Sequence, residues 1–228
     1  RVLFRSVVSL VTERTELTAP YREWNERRVR AEGKDVRVIH LHPSSHAGYY
    51  PGAAQLHMKM IVDAESDAIL GAQIVGEEGV DKRIDVIATA MRAGLSATDL
   101  ADLELAYAPQ FGSAKDPINF AGFINDNIAR GEKTVQWHEL DERLASGALL
   151  VDVRSPEEFA SGAIPGAVNI PLDELRVRHE EIADHDDVIV HCQVGLRGHN
   201  AARLLTNLGY DVANLDGGYL TWTNGQED

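Results

Sequence analysis

The last ninety or so residues of the chain alternate strand and helix patterns, and this alternation constrains the fold more than any other feature. Strands are predicted at residues 148–153, 187–191 and 211–215, and helices at residues 137–146, from residue 156 onward and at residues 199–208. Such alternation is typical of a parallel sheet with helices on its faces. Active sites of these sheets lie at the carboxyl ends of strands, so Cys192, directly after the strand 187–191, is a candidate catalytic residue.

The preceding residues follow a different pattern, which predicts a small antiparallel sheet followed by helices. Strands are predicted at residues 36–41, 55–62 and 69–75, and helices at residues 80–93, 96–103 and 117–130. The apolar residues between Val80 and Met91 recur at helical spacing, and Gly94 ends that helix. The fold prediction is therefore an α+β domain at residues 36–130, followed by an α/β domain with a parallel sheet at residues 135–228.

The first 35 residues are interpreted as lying outside both predicted domains. Residues 7–35 have a mixed, polar composition, and their pattern is partly helix-like up to Gly33. We interpret them as the remnant of upstream domains. Residues 1–6 back-translate to a string similar to a sequencing adapter, so we interpret them as an artefact and leave them out of the fold prediction. The alternative is a natural segment of an exposed linker.

The acidic composition argues against nucleic acid as a partner. The chain has 22 Lys plus Arg against 36 Asp plus Glu, a formal net charge of −14, and such a field repels a phosphate backbone. No apolar run reaches the roughly 20 residues that a membrane helix needs, and no signal peptide is visible. The prediction is a cytoplasmic protein without membrane or nucleic-acid partners.

Cys192 is the only cysteine in the sequence, so its role has to be judged from its surroundings. The N–H groups of the loop and of the following helix start are expected to form a nest that favours a thiolate or a bound anion. Gly195 permits the backbone turn, and Arg197 brings a fixed positive charge with a planar donor fork. The alternative is that Cys192 is only a small buried apolar residue. The position of Cys192 at a strand end favours the nucleophile.

Several segments around Cys192 form a set of motifs. The loop residues beside Cys192 and Arg197 are Gln193, Val194, Gly195, Leu196 and Gly198, and the other segments are residues 150–159, 164–171 and 215–222. Together they resemble the rhodanese family, and the resemblance covers residues 135–224. The sequence departs from that family at Ala163, where a histidine is frequent, but Ala163 lies outside the cysteine loop.

This resemblance implies a sulfurtransferase with a ping-pong mechanism, in which Cys192 takes up a sulfane sulfur as a persulfide and yields it to a nucleophilic acceptor. The loop N–H groups and Arg197 would stabilise the anionic donor and the persulfide. Four residues separate Cys192 from Arg197, whereas related phosphatases have about five and a wider cradle, so phosphate ester hydrolysis is disfavoured. Asp152 and Arg154 either support the site or form a structural ion pair. The rival function is a rhodanese-like module that binds a partner without catalysis.

A second set of motifs lies in the first predicted domain, at residues 69–76, 81–88, 105–111 and 113–117. These segments resemble the dimerisation domain of flavin-dependent pyridine nucleotide-disulfide oxidoreductases, in particular their coenzyme A-disulfide reductase branch, over residues 36–130. The resemblance implies a homodimer in which Tyr49 and Tyr107 serve a coenzyme A or disulfide site across the dimer. A phenol could donate a hydrogen bond to a departing thiolate or persulfide of coenzyme A. The alternative role of both tyrosines is interface packing.

The two resemblances imply the C-terminal part of a coenzyme A-disulfide or persulfide reductase that uses FAD and NAD(P)H. The sequence contains no G-x-G-x-x-G turn and no second cysteine, so this chain alone is predicted to bind neither cofactor and to lack flavin reductase activity. Its expected partners are a sulfane-sulfur donor and a thiol acceptor, both coenzyme A species. His40, His42 and His46 have no Cys, Asp or Glu at ligand spacing, so no metal site is predicted.

Overall fold

The computed structural model describes the backbone of residues 6–11 and all atoms of residues 26–226. The chain divides between Gly131 and Glu132 into two compact units, and each unit is considered by itself. The interpretation of residues 1–6 as an artefact falls on residues that are mostly outside the described ranges. Only its last residue, Ser6, is described, and a strand begins there.

Within the described residues, the first unit contains a four-stranded antiparallel sheet with the strand order β1-β4-β3-β2. The strands are β1 Ser6–Val11, β2 Val36–Leu41, β3 His57–Asp63 and β4 Ile69–Gly76. Met58 and Met60 in β3 are buried, while Lys59 between them and His57 before them are half-buried, as expected when one face of a sheet covers a core. The predicted antiparallel sheet is confirmed, although β3 begins two residues later than predicted.

The strand β1 is a correction to the sequence analysis, which assigned Val7 to Val11 to a helix-like stretch. In the structure these residues pair with β4, from Ser6 opposite Gly76 to Val11 opposite Gly71. The reason is long-range, because the exposed edge of β4 offers backbone partners that a local sequence pattern does not reveal. The helix α1, Glu26–Ala31, does lie in the stretch that was predicted to be helix-like.

Two α-helices and a 3₁₀ helix complete the first unit: α2 Val80–Ala93, the 3₁₀ helix Thr98–Asp102 and α3 Pro117–Ala129. The apolar stripe of α2 is buried, and Gly94 ends the helix in a left-handed conformation, as predicted. The helix predicted through Leu103 is a 3₁₀ turn instead of an α-helix. Ser96 caps this turn as expected, because its hydroxyl accepts the Asp99 N–H at 3.2 Å.

The second unit, over residues 132–226, contains a five-stranded parallel sheet with the order β5-β9-β8-β6-β7. The strands are β5 Thr134–Val135, β6 Leu149–Asp152, β7 Val168–Asn169, β8 Val188–His191 and β9 Val212–Leu215. All four residues of the central strand β8 are buried. Ile189 packs into one apolar cluster and Val188 and Val190 into another, so both faces of the sheet are covered. The predicted parallel α/β fold is confirmed.

Five helices surround this sheet: α4 Leu140–Ala145, α5 Pro156–Ala160, α6 Leu172–Arg178, α7 Leu196–Asn207 and α8 Gly218–Gly225. Short 3₁₀ helices precede α4 at Trp137–Glu139 and follow α6 at His179–Ile182. Helix α7 begins three residues before the predicted start at residue 199. The reason is Gly195, whose φ of 97° turns the chain so sharply that the helix starts at once. Arg197 and Gly198 therefore lie in its first turn.

No helix in residues 26–226 is both long and apolar enough to span a membrane.

Candidate functional site

Cys192 lies at the carboxyl end of the central strand β8, where the sequence analysis expected it. The residue is 1% exposed, so its sulfur is shielded from bulk solvent in this conformation. The N–H group of Gly195 donates a hydrogen bond to Cys192 Sγ at 3.2 Å. This N–H belongs to the residue just before α7, so the sulfur faces the positive end of the helix dipole. One N–H group of the predicted nest, that of Gly195, therefore contacts the sulfur atom.

The start of helix α8 is hydrogen-bonded to the backbone of the cysteine loop. The N–H groups of Tyr219 and Leu220 donate to the carbonyl oxygens of Cys192 at 2.8 Å and of Gln193 at 3.0 Å. Gly218 makes this approach feasible, because its φ is 65° and a Cβ there would collide with the Cys192 carbonyl. The motif at residues 215–222 therefore has a physical role, which is to fix the backbone of the cysteine loop. The sequence analysis noted the motif without assigning it this contact.

Asn214 fixes the other side of the loop. Its side-chain Nδ2 donates to the carbonyl of Gly195 at 3.2 Å. The Asn214 side chain also touches Gly198, where an added Cβ would collide with Asn214 Oδ1 and lie 3.5 Å from the backbone nitrogen of Cys192. Gly198 is thus required for close packing of the first turn of α7. Of the other predicted cradle residues, Val194 is half-buried and Leu196 is 58% exposed.

Arg197 lies beside the loop, and both of its terminal nitrogens bind Glu158 in α5. The Nη1 and Nη2 atoms donate to the two carboxylate oxygens at 2.7 and 2.6 Å. These hydrogen bonds raise the pKa of Arg197, burial opposes the rise, and the charge of the Cys192 sulfur adds to it. Hydrogen bonds from Arg197 also lower the pKa of Glu158 to about 2, against the effect of burial. The sequence analysis missed Glu158, although it quoted the segment that contains it.

A buried ion pair supports the loop from the end of β6. Asp152 and Arg154 are both buried, and Arg154 Nη2 donates to Asp152 Oδ2 at 2.6 Å. Arg154 also donates from Nη1 to the side-chain oxygen of Gln193 at 3.1 Å and from Nη2 to the carbonyl of Gly162 at 2.7 Å. Its guanidinium lies 4.2 Å from the centre of the Tyr219 ring. Asp152 and Arg154 therefore form a buried ion pair that also contacts the cysteine loop through Gln193.

His191 precedes Cys192 and is fully buried. Its Nε2 lies 3.6 Å from Oδ2 of Asp152, which is too long for a hydrogen bond. Burial lowers the pKa of His191 to about 4, although the charge of Asp152 acts in the opposite direction. The imidazole is thus neutral at physiological pH and belongs to the packing behind the loop.

In the first unit, the structure brings Tyr49 and Tyr107 together. Their hydroxyl oxygens are 2.8 Å apart, and the residues are 76% and 49% exposed. The hydrogen bond to Tyr107 is the main reason that the pKa of Tyr49 is raised. The two phenols come from separate loops, 58 residues apart in sequence, so their contact is a feature of the fold.

The loops that carry the two tyrosines are anchored by a buried arginine. Arg83 in α2 is 1% exposed and donates to the carbonyl of Ser45 at 2.7 Å and to the carboxylate of Asp116 at 2.9 Å. The N–H of Ala47 donates to the carbonyl of Gly112 at 3.0 Å. These contacts tie the loop after β2 to the loop before α3, and so they hold the tyrosine pair in place.

The histidines of the first unit form ring contacts. His42 and His57 approach within 2.9 Å through their Nδ1 atoms, and burial is the main cause that lowers the pKa of His42 to about 3. Across residues 26–226, no group of three or more His, Cys, Asp or Glu side chains has the arrangement of a metal site.

Comparisons with known proteins match each unit to a family. Residues 136–225 match the family model described as a rhodanese-like domain. Residues 24–116 match the pyridine nucleotide-disulphide oxidoreductase dimerisation domain. Both matches agree with the resemblances that the sequence motifs indicate.

Two solved structures are similar over nearly the whole chain. The reduced CoADR-RHD of Bacillus anthracis is 45% identical, with a TM-score of 0.88 over 96% of this chain and 37% of that chain. A NAD-dependent persulfide reductase from A. fulgidus is 33% identical, with a TM-score of 0.82 over 97% of this chain and 38% of that chain. A curated coenzyme A disulfide reductase of Staphylococcus aureus (strain bovine RF122 / ET3-1) is 43% identical over 89 residues, which are 39% of this chain. The chain spans 20% of that curated relative.

Proposed function

Because the chain joins a pyridine nucleotide-disulphide oxidoreductase dimerisation domain to a rhodanese-like domain, we propose that its second unit transfers sulfane sulfur through a persulfide on Cys192. One observation carries the proposal: Cys192 Sγ accepts a hydrogen bond from the Gly195 N–H at 3.2 Å at the start of α7. A sulfur in this position is stabilised as an anion by the N–H dipoles at the start of α7, both before and after it receives a second sulfur.

In the first half-reaction, the Cys192 thiolate attacks the outer sulfur of a donor. A Cys–S–S⁻ bond forms, the sulfur–sulfur bond of the donor breaks, and its remaining fragment leaves with the electron pair. With thiosulfate the leaving group is sulfite, and with a thiol persulfide it is the thiolate. In the second half-reaction, an acceptor thiolate attacks the outer sulfur and Cys192 leaves as the thiolate. No external oxidant or reductant is needed for either step.

The test is to load the chain with thiosulfate and measure its intact mass. We expect an added mass of one sulfur atom on the wild-type chain, which disappears after addition of cyanide with release of thiocyanate. Cys192→Ser should gain no sulfur while its circular dichroism spectrum stays unchanged, because the side chain is small and isosteric. Absence of sulfur on the wild-type chain, or its presence on the variant, would contradict the proposal and favour a non-catalytic binding module.

For the whole protein, we propose a coenzyme A-disulfide or persulfide reductase that is dimeric, cytoplasmic and uses FAD and NAD(P)H. The proposal is supported by the matched dimerisation domain and by the names of relatives of which this chain spans 20% to 38%. The sequence contains no G-x-G-x-x-G turn, so the residues of this chain do not fit a dinucleotide of that kind. No step proposed for this chain uses either cofactor.

Within that larger protein, Tyr49 and Tyr107 would act on the thiolate or persulfide of coenzyme A. Their contact at 2.8 Å leaves one phenol able to donate outward while it accepts from the other, and both are exposed enough to meet a ligand. In the full-length enzyme, Tyr49→Phe or Tyr107→Phe should lower kcat for NAD(P)H oxidation with coenzyme A disulfide by about 10- to 100-fold. Tyr50→Phe, which changes a neighbouring exposed tyrosine, is the control. Equal effects of all three variants would contradict this role.

A further inference from the structure

Glu158 is placed so that it offsets the positive charge of Arg197, which interacts electrostatically with the Cys192 sulfur. Its two carboxylate oxygens are both occupied by Arg197, at 2.6 and 2.7 Å, and one of them also accepts the N–H of Ser155 at 3.0 Å. The side chains of Glu158 and Arg197 are 35% and 37% exposed, so the pair lies at the rim of the cysteine loop. A ligand that approaches Cys192 past Arg197 therefore meets a carboxylate as well as a guanidinium.

The second arginine near the loop is neutralised in the same way. Arg154 is buried against Asp152 at 2.6 Å, and neither side chain is more than 2% exposed. The two guanidinium groups that touch the loop region are thus each matched by one carboxylate. Attraction of an anion then depends mainly on backbone N–H groups such as that of Gly195, which supply partial charges and no net charge.

This charge balance discriminates between sulfur donors. Thiosulfate carries two negative charges, whereas the persulfide of a simple thiol, R–S–S⁻, carries one. Glu158 removes the attraction that Arg197 alone would exert on an anion. Because that attraction scales with the charge of the ligand, its loss disfavours the dianion more than the monoanion. On the proposed sulfurtransferase function, both donors present the same sulfane sulfur to Cys192 and differ in charge and in leaving group.

We propose that Glu158 is a specificity-determining residue, which biases the Cys192 site toward donors whose sulfur-bearing group carries a single negative charge, such as thiol persulfides, and against compact dianions such as thiosulfate. The inference rests on the proposed sulfur transfer at Cys192. In the favoured reaction the Cys192 thiolate attacks the outer sulfur of R–S–S⁻, the donor sulfur–sulfur bond breaks, R–S⁻ leaves, and Cys192–S–S⁻ forms. Two negative charges enter the step and two leave it.

Glu158→Gln separates the charge of this residue from its hydrogen bonds. The glutamine oxygen can still accept the Ser155 N–H, since Gln serves in a capping box as Glu does, and it can still accept from Arg197. Glu157→Gln is the matched control, because it removes the same charge one residue earlier in the same helix from an exposed side chain. General electrostatic effects of the acidic chain are therefore equal in the two variants.

The measurement is kcat/KM for thiocyanate formation by the 228-residue chain with cyanide as acceptor and two donors, thiosulfate and the persulfide of 2-mercaptoethanol. Glu158→Gln should raise kcat/KM for thiosulfate by about 10-fold and change that for the persulfide by less than about 3-fold. Glu157→Gln should leave both values within about 3-fold of wild type. If Glu158→Gln does not fold, Glu158→Ala should shift the ratio of the two donors in the same direction.

The proposal is overturned if Glu158→Gln changes both donors by the same factor, or if it lowers the value for thiosulfate. Either result would make Glu158 a group that only orients Arg197. A wild-type chain that loads sulfur from neither donor would refute sulfur transfer itself, and the inference with it. The intact mass of the chain after incubation with each donor distinguishes these failures, because a loaded Cys192 with an unchanged donor ratio rejects the role of Glu158 alone.

Discussion

Substitution of Gly218 by alanine should displace the backbone of the Cys192 loop without changing any side chain of that loop. Gly218 is the first residue of α8 and has a φ of 65°. A Cβ at this position would collide with the carbonyl oxygen of Cys192 and lie 2.9 Å from the nitrogen of Gly195 and 3.0 Å from the carbonyl carbon of Gln193. All three atoms are backbone, so the loop has to move as a unit.

A second glycine separates conformational strain from this collision. Gly209 follows α7 with a φ of 95°, and a Cβ there would have no neighbour within 4 Å. A left-handed conformation costs a residue with a side chain roughly 1–2 kcal/mol, so Gly209→Ala should lose about that much free energy of unfolding. Gly218→Ala carries the same strain and adds roughly 1–3 kcal/mol of overpacking. We therefore expect a loss of about 2–5 kcal/mol for Gly218→Ala.

Gly218→Ala should lower the rate of sulfur transfer more than its loss of stability relative to Gly209→Ala suggests. A displacement of the reacting atoms by about 1 Å can cost on the order of 10²-fold in rate, so sulfur transfer by Gly218→Ala should fall by at least that factor. Urea unfolding can be followed by fluorescence, since Trp137 and Trp222 both lie in the second unit. If Gly218→Ala transfers sulfur within about 3-fold of Gly209→Ala while it is folded, the loop is not held by α8 as described.

Three further predictions concern charge, pH and association. Arg197→Lys should lower kcat/KM for thiosulfate by about 10²-fold, because one ammonium cannot hold both Glu158 oxygens as the planar fork does and leaves that carboxylate less neutralised near Cys192. Kinetics within about 3-fold of wild type would make Arg197 structural. Burial lowers the pKa of His191 from 6.5 to about 4, so the unfolded chain takes up the proton first and stability is lost as the pH falls from 6.5 toward 4. The free energy of unfolding of the second unit should therefore drop by about 2 kcal/mol between pH 7 and pH 5 in urea titrations, and this drop should be absent in His191→Asn. The same pH dependence in the variant and the wild type would contradict the prediction. The first unit should make the chain self-associate, which light scattering over a concentration series measures. Phe111→Asp should weaken this association, whereas the control Val177→Asp, which changes an exposed apolar residue of the other unit, should leave it unchanged. A monomer mass at every concentration would argue against the dimer.

The elements that the sequence predicted well are those with a strong local period. The buried strand β8 and the amphipathic helix α2 were both predicted. A short apolar run and a stripe of apolar residues at helical spacing can both be recognised in the sequence without knowledge of tertiary contacts. The strand β1 was missed because its partners in β4 lie 60 to 70 residues away in sequence. The early start of α7 was missed because a glycine with positive φ can begin a helix where sequence patterns show only a loop.

The candidate site also has features that a local sequence pattern predicts and features that depend on contacts between distant segments. Cys192, Arg197 and the nest around the sulfur follow from a single segment of sequence and were predicted. The hydrogen bonds from Tyr219 and Leu220 to the loop, and the pairing of Arg197 with Glu158, connect segments that are 27 to 39 residues apart. Each of these segments had been noted as a motif, but a motif does not state which other motif it contacts. The missing information was geometric and came from the order of the strands in the sheet.

On the proposed function, the local geometry also explains how an acidic chain could act on anionic sulfur. A net charge of −14 repels an approaching anion at long range. Salt screens such interactions beyond about 8 Å at physiological ionic strength, so the groups within that distance decide the affinity at the sulfur. There Arg197 is offset by Glu158 and Arg154 by Asp152, which leaves the N–H of Gly195 and the start of α7 as the unbalanced positive field. This positive field falls off within one helical turn. It therefore stabilises a negative charge on the Cys192 sulfur, or on a second sulfur bound to Cys192, far more than it attracts a free anion from solution.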